Sequence, residues 1–119
     1  MKLSVNNVEV DVEWEDNAAT RGLHEAVQTA PISVTAHRYD GVEQVGALPR
    51  SFPRTDTNMH TRAGDIVLYG GDHLVTFFNS HSWSYTKLGR ITGRTHSDLV
   101  DLLDVPHATI TLTASNSGN

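Results

Sequence analysis

The chain has no cysteine among its 119 residues, which excludes disulfide bonds and thiolate chemistry and leaves burial to hold the fold together. A cysteine-free chain fits a reducing compartment, and a cytoplasmic location is expected. Long apolar runs are also missing. The opening MKLSVNNVEV has no stretch of signal-peptide length, and no segment approaches the roughly 20 apolar residues of a membrane span, so no membrane partner is expected. Basic charge is scarce too. Nine Lys and Arg against 14 Asp and Glu give a net charge of -5, the wrong sign for a surface that neutralises phosphates, so nucleic acid is not an expected partner. Seven histidines are present, yet HxH, HExxH and His with carboxylate at helical spacing are absent, so neither a metal nor any other cofactor is expected. No repeat or linker divides the sequence. One domain over residues 1–113 is expected, followed by a small, polar, flexible tail at 114–119.

What the chain does contain is centred on Gly64 to Ile91. Ile66, Val67, Leu68 and Tyr69, and then Leu74, Val75, Phe77 and Phe78, are apolar without alternation, which predicts two central strands buried on both faces. Gly70-Gly71-Asp72 between them suits a tight hairpin. The next segment alternates Ser80, Ser82, Ser84 and Thr86 with His81, Trp83, Tyr85 and Lys87, a pattern with few purely apolar residues on either face that suits the lining of a pocket.

Around this centre, Leu3 to Val5, Asn6-Asn7 and Val8 to Trp14 read as a hairpin, with Val8, Val10, Val12 and Trp14 inward and the acidic residues between them in water. Asp16 or Asn17 caps a helix near residues 17–29, where Ala19, Leu23, Ala26 and Val27 share a face. Gly22 weakens that helix, which therefore depends on packing against the sheet. Ile32 to Tyr39, the turn Asp40-Gly41 and Val42 to Leu48 form a second hairpin. Pro49 to Arg62 reads as an irregular, functional or mobile loop. Thr95 and Asp98 form a capping-box pair ahead of a helix near 97–104, and Ala108, Ile110 and Leu112 face inward from a last strand. The order predicts a mainly β fold, a small antiparallel barrel whose ends are closed by two short helices.

Ala63-Gly64-Asp65-Ile66-Val67-Leu68-Tyr69-Gly70 resembles the GDI-hydrophobic-LYG motif of the cyclophilin-like domain family. Tyr85-Thr86-Lys87-Leu88-Gly89-Arg90-Ile91 is similar to its SYT-basic-IG-basic-I motif. The likeness covers about residues 3 to 113 and is to the short, stand-alone bacterial members rather than the longer prolyl isomerases. It implies a cyclophilin-like barrel. Against the isomerase pattern, His37-Arg38 is similar to the FHR motif whose arginine polarises the prolyl amide, and Gln44 lies near the glutamine of the next strand. Leu68 stands where a pocket methionine would be, Phe77-Phe78 resembles the paired phenylalanines, and Leu88-Gly89-Arg90-Ile91 resembles the FGKV strand. Three positions depart: Ala36 replaces the phenylalanine of FHR, Gly70 to His73 is far shorter than the corresponding loop, and Tyr85 sits where a histidine would be.

These readings predict a pocket for a small apolar or peptide-like ligand bordered by Arg38, Tyr69, Phe78, His81, Trp83 and Tyr85, without efficient prolyl isomerase activity. An alternative is a small-molecule enzyme of isomerase or cyclase type, in which His81 and Tyr85 shuttle a proton and Arg38 stabilises negative charge. Peptidyl-prolyl isomerisation is the second alternative. Against these roles, Arg38 reads equally as an outward residue paired with Asp40 or Glu43, His81 as an exposed loop residue, and Tyr69 and Phe78 as core. Asp65 is expected to fix the turn entering its strand.

Overall fold

A computed structural model describes residues 1–115 of the chain. They form β1 (Lys2–Val5), β2 (Val8–Trp14), α1 (Ala18–Thr29), β3 (Ile32–Tyr39), β4 (Glu43–Ala47), β5 (Thr57–Thr61), β6 (Asp65–Tyr69), β7 (His73–Phe77), β8 (His81–Thr92), α2 (His96–Leu103) and β9 (His107–Thr113). Every pairing is antiparallel, in the order β2-β1-β9-β3-β4-β7-β6-β8-β5. A further pairing of β2 with β8, from Asp11↔Thr92 to Trp14↔Gly89, closes eight of these strands into a ring and leaves β5 outside it. At the closure the backbones come close. A Cβ on Gly89 would lie 2.7 Å from the Glu13 carbonyl oxygen, so glycine is what allows the two strands to approach.

Turn chemistry sets the hairpins. Asn6 and Asn7 hold φ of 49° and 68°, the left-handed pair of a two-residue turn, and Asp40-Gly41 holds 53° and 62° in a loop that Val42 lengthens to three residues, since Tyr39 pairs with Glu43. Asn17 caps α1, its Oδ1 accepting from Thr20 N at 2.9 Å, while its Nδ2 donates to the Lys87 carbonyl at 2.8 Å and ties the helix start to β8. Thr95 and Asp98 form the expected capping box of α2.

The ring's interior holds the main core: Leu3 and Val5 of β1, Val34 and Ala36 of β3, Ile66, Leu68 and Leu74 of the central hairpin, and Ile110 and Leu112 of β9. Leu23 and Val27 of α1, and Leu99 and Leu103 of α2, complete it. The helices sit at opposite ends. Near the start of β4, Gln44 Nε2 donates to the carbonyls of Leu103 (2.9 Å) and Val105 (2.6 Å) at the end of α2. Past the other end of β4, Leu48 N donates to Asp72 O and Phe52 N to Gly71 O, each at 2.8 Å. There Phe52 is buried against α1, where a Cβ on Gly22 would be 3.2 Å from the Phe52 ring, which is the packing that offsets a mid-helix glycine.

The apolar hairpin β6–β7 is central and buried on both faces, as its unbroken apolar runs predict. Its outward residues Val67, Val75 and Phe77 join Tyr85 in a second, smaller core on the outer face of the sheet, with Val45 and Met59 packed against it.

Three expectations need correction. The inward row of β2 begins at Val10, because Val8 flanks the turn and is 42% exposed. The segment 49–62 is not wholly irregular: Phe52 is buried and Thr57–Thr61 forms β5. Its sequence TNMHT has one apolar side chain and gives no alternation signal, so backbone pairing with β8, from Thr57↔Tyr85 to Thr61↔His81, is what makes it a strand. Of the expected tail, Ala114 packs against the core and Ser115 Oγ accepts from the Met1 amino nitrogen at 2.8 Å, while 116–119 lie outside the described residues. Among the described residues no helix is long and apolar enough to cross a membrane.

Candidate functional site

β8 does two jobs. Its second half pairs with β6 and β2, but residues 81–85 leave β6 and pair with β5 alone. The departure point is Thr86, the last β8 partner of β6, opposite Leu68. The Thr86 hydroxyl accepts from Thr55 N at 2.9 Å and donates to Asp56 Oδ1 at 2.6 Å, so one buried threonine anchors the segment leading into β5. Arg54 holds Asp56 from its other side through an ion pair. Hydrogen bonds from Arg54 and Thr86 keep the Asp56 carboxyl below its ordinary range against the opposing effect of burial.

The free half of β8 and the outer face of the sheet enclose a cleft of about 480 Å³. Register aligns its lining. His37 of β3 pairs with Val45 of β4 and Tyr39 with Glu43, Val45 and Glu43 pair with Val75 and Phe77 of β7, and Tyr69 of β6 pairs with His73. His37, Tyr39, Glu43, Val45, Tyr69 and His73 supply the sheet side, and His81, Trp83 and Tyr85 the side facing them. Tyr85 lies edge-on to Phe77 at 5.6 Å and to Tyr69 at 6.0 Å between centroids, so the smaller core is the cleft's floor.

Glu43 is the chemically unusual member. It is only 8% exposed, and among the described residues its carboxylate makes no hydrogen bond or ion pair. Burial, reinforced by the negative charge of Asp40, pushes its carboxyl up to about 7. Tyr85 moves away from titration near neutrality. Burial, with the charges of Glu43 and Tyr69, pushes its phenol up to about 12, so it keeps its proton at neutral pH.

Of the six residues expected to border a pocket, Tyr69, His81, Trp83 and Tyr85 line this cleft, and Arg38 and Phe78 do not. Phe78 is fully buried in the ring's interior core. Arg38 is ion-paired with Asp104 beyond the end of α2 at 3.0 Å, rather than with Asp40 or Glu43. Among the other isomerase-like positions, Gln44 and Leu68 are fully buried away from the cleft, whereas His37 lines it and Phe77 lies in its floor. Tyr69 is 43% exposed, a wall residue rather than a core one. Asp65 fixes its turn as expected, its Oδ2 accepting from Arg62 N at 2.9 Å, and it also holds Arg90 (2.8 Å) and Lys87 (3.4 Å) of β8. Although burial opposes ionisation, the hydrogen bonds from Arg90 and Arg62, with the charges of Lys87 and Arg90, keep its carboxyl below the ordinary range.

Sequence reasoning missed Glu43, Val45, His37, Tyr39 and His73 as lining. The signal was parity. Ile32, Val34 and Ala36 face the core, which places His37 and Tyr39 on the outer face and makes Arg38 the odd member of the inward row. The remaining histidines are dispersed. His96 Nε2 lies 2.9 Å from the Phe78 carbonyl oxygen, and His73 Nδ1 lies 2.7 Å from Asp72. His60 Nδ1 approaches Ser82 Oγ at 2.6 Å on the exposed face of the β5–β8 ribbon, a cross-strand polar pair with no third group among the described residues to orient the imidazole. Among the described residues no three His, Asp or Glu side chains gather as metal ligands. Among curated proteins, none matches the chain. A model of the cyclophilin-like family matches residues 3–114, nearly the full length, and the chain belongs to that family.

Proposed function

We propose that the outer-face cleft binds a small apolar or peptide-like ligand, with Glu43 as the polar group that orients it. The observation that carries this reading is a partnerless carboxylate at 8% exposure beside aromatic walls and an apolar floor. Ligand sites generally combine a largely apolar lining with a few fixed polar groups, and a volume of about 480 Å³ lies within the usual range for small-molecule pockets. A second reading, a small-molecule enzyme, is favoured by the same residue. A carboxyl that titrates at about 7 is matched to general acid or base work at neutral pH, whereas Tyr85, held protonated, is left the role of hydrogen-bond donor. In that reading Glu43 moves the proton, with His81 as its partner across the cleft.

Prolyl isomerisation fits less well. An isomerase must hold a twisted amide over a barrier of about 18–20 kcal/mol with donors on one side and an apolar wall on the other. The candidate donor Arg38 is occupied by Asp104, and Phe78 is fully buried. Turnover of an X-Pro peptide in a protease-coupled assay is expected near background and unchanged by Arg38→Ala. Strong turnover that this substitution abolishes would move the protein into the isomerase class. The ligand-binding reading is tested by screening a fragment library with amide and indole NMR shifts. Hits are expected to perturb the lining from His37 to Tyr85 together, and a library whose hits perturb only residues elsewhere would refute the cleft as the site.

A further inference from the structure

Resting on the reading of the cleft as a ligand site, we infer that its ligand carries a positively charged organic ammonium group, seated against Glu43 and the aromatic walls. Three observations converge. First, the lining holds no lysine or arginine, and its one carboxylate is partnerless among the described residues. A neutral ligand filling the cleft would take Glu43 further from water without compensating its charge, whereas a cation supplies the missing partner. An anionic ligand would meet both Glu43 and the nearby Asp40.

Second, the walls are aromatic and accessible. Tyr39, Tyr69 and Trp83 are 53%, 43% and 59% exposed, and they are three of only four large hydrophobic side chains exposed among the described residues. Tyr85 completes the set from the floor side. Aromatic faces attract ammonium groups through their quadrupoles, most strongly in Trp, and clusters of such rings are how proteins hold methylated ammonium ions.

Third, the imidazole at the rim nearest this set is already committed. His73 Nδ1 is 2.7 Å from Asp72 and its ring lies edge-on to Tyr69 at 6.3 Å, so this lining imidazole is already paired with a carboxylate.

A matched set of probes tests this: choline, its neutral isostere 3,3-dimethylbutan-1-ol, and the anion 3,3-dimethylbutanoate, titrated against the full chain at pH 8 while NMR follows the Trp83 indole. The Trp14 indole, bonded to the Met1 carbonyl oxygen at 2.9 Å, serves as an internal control. Choline is expected to saturate the Trp83 shift at a concentration at least about tenfold below the alcohol, with the anion weaker still. Glu43→Gln should erase most of that advantage, and Trp83→Leu, followed through the backbone amides of the lining, should erase part of it. If the alcohol binds as tightly as choline, or the anion binds best, the ammonium inference is wrong and the ligand site stands. If none of the three moves the Trp83 signal while library fragments do, the inference again fails alone. If fragments also leave the lining unmoved, the site falls with it.

Discussion

At the scale of single residues, Glu43 carries the account. Its carboxyl titrates at about 7 in the fold against 4.5 for an ordinary glutamate, so between those values the native state holds a proton that the unfolded chain has released. Stability therefore falls as pH rises from about 4.5 to about 7 and levels off above, by up to about 3 kcal/mol for this group. Glu43→Gln should accordingly stabilise the protein by up to that amount at pH 8 and by almost nothing at pH 4.5, read from urea midpoints at the two pH values. A variant equally or less stable than the parent at pH 8 would mean the carboxylate is not strained. Arg38 is the contrast. Its ion pair with Asp104 joins two side chains that are each 41% exposed, so Arg38→Ala should cost less than about 1 kcal/mol.

At the scale of elements, β8 decides both closure and cleft. Its pairing with β6 carries an irregularity at Ile66/Val67, where Leu88 is the extra residue between Lys87 and Gly89. Beyond it Gly89 meets β2. Gly89→Ala would drive a Cβ to within 2.7 Å of the Glu13 carbonyl oxygen and 3.1 Å of a Val12 methyl, and should cost about 1–3 kcal/mol in chemical denaturation. Asp65 ties the turn before β6 to two β8 cations, so Asp65→Asn should cost about 2 kcal/mol at neutral pH. Because the carboxyl is held below the ordinary range, its contribution is complete above the unfolded value of 3.8 and is lost as pH falls through the depressed folded value. The gap between parent and variant should narrow across that acidic window. A gap independent of pH would show that Asp65 acts through packing rather than charge.

At the scale of the whole molecule, the architecture was legible because its determinants are local. Caps at Asn17 and Thr95, turn pairs at Asn6-Asn7 and Asp40-Gly41, and the doubly buried strands around Gly70 all depend on neighbours in sequence. Half the cleft was legible too, since His81, Trp83 and Tyr85 share one face at period two. The other half was not. Glu43 becomes buried only because residues 81–85 and β5 stand over the outer face of the sheet, a contact spanning some forty residues whose strand β5 has almost no pattern of its own. Likeness to isomerase motifs points to Arg38 and Phe78 as wall, although the inward rows Val34-Ala36 and Leu74-Thr76 place both on the core side. Whether the outer-face cleft holds the ligand is decided by mass spectrometry of small molecules released from the purified protein, with the parent compared against Val45→Trp. A tryptophan on the floor fills the cleft without touching the ring's interior, so the account predicts a compound released by the parent and by Arg38→Ala and missing from Val45→Trp. Equal release from all three proteins would contradict it.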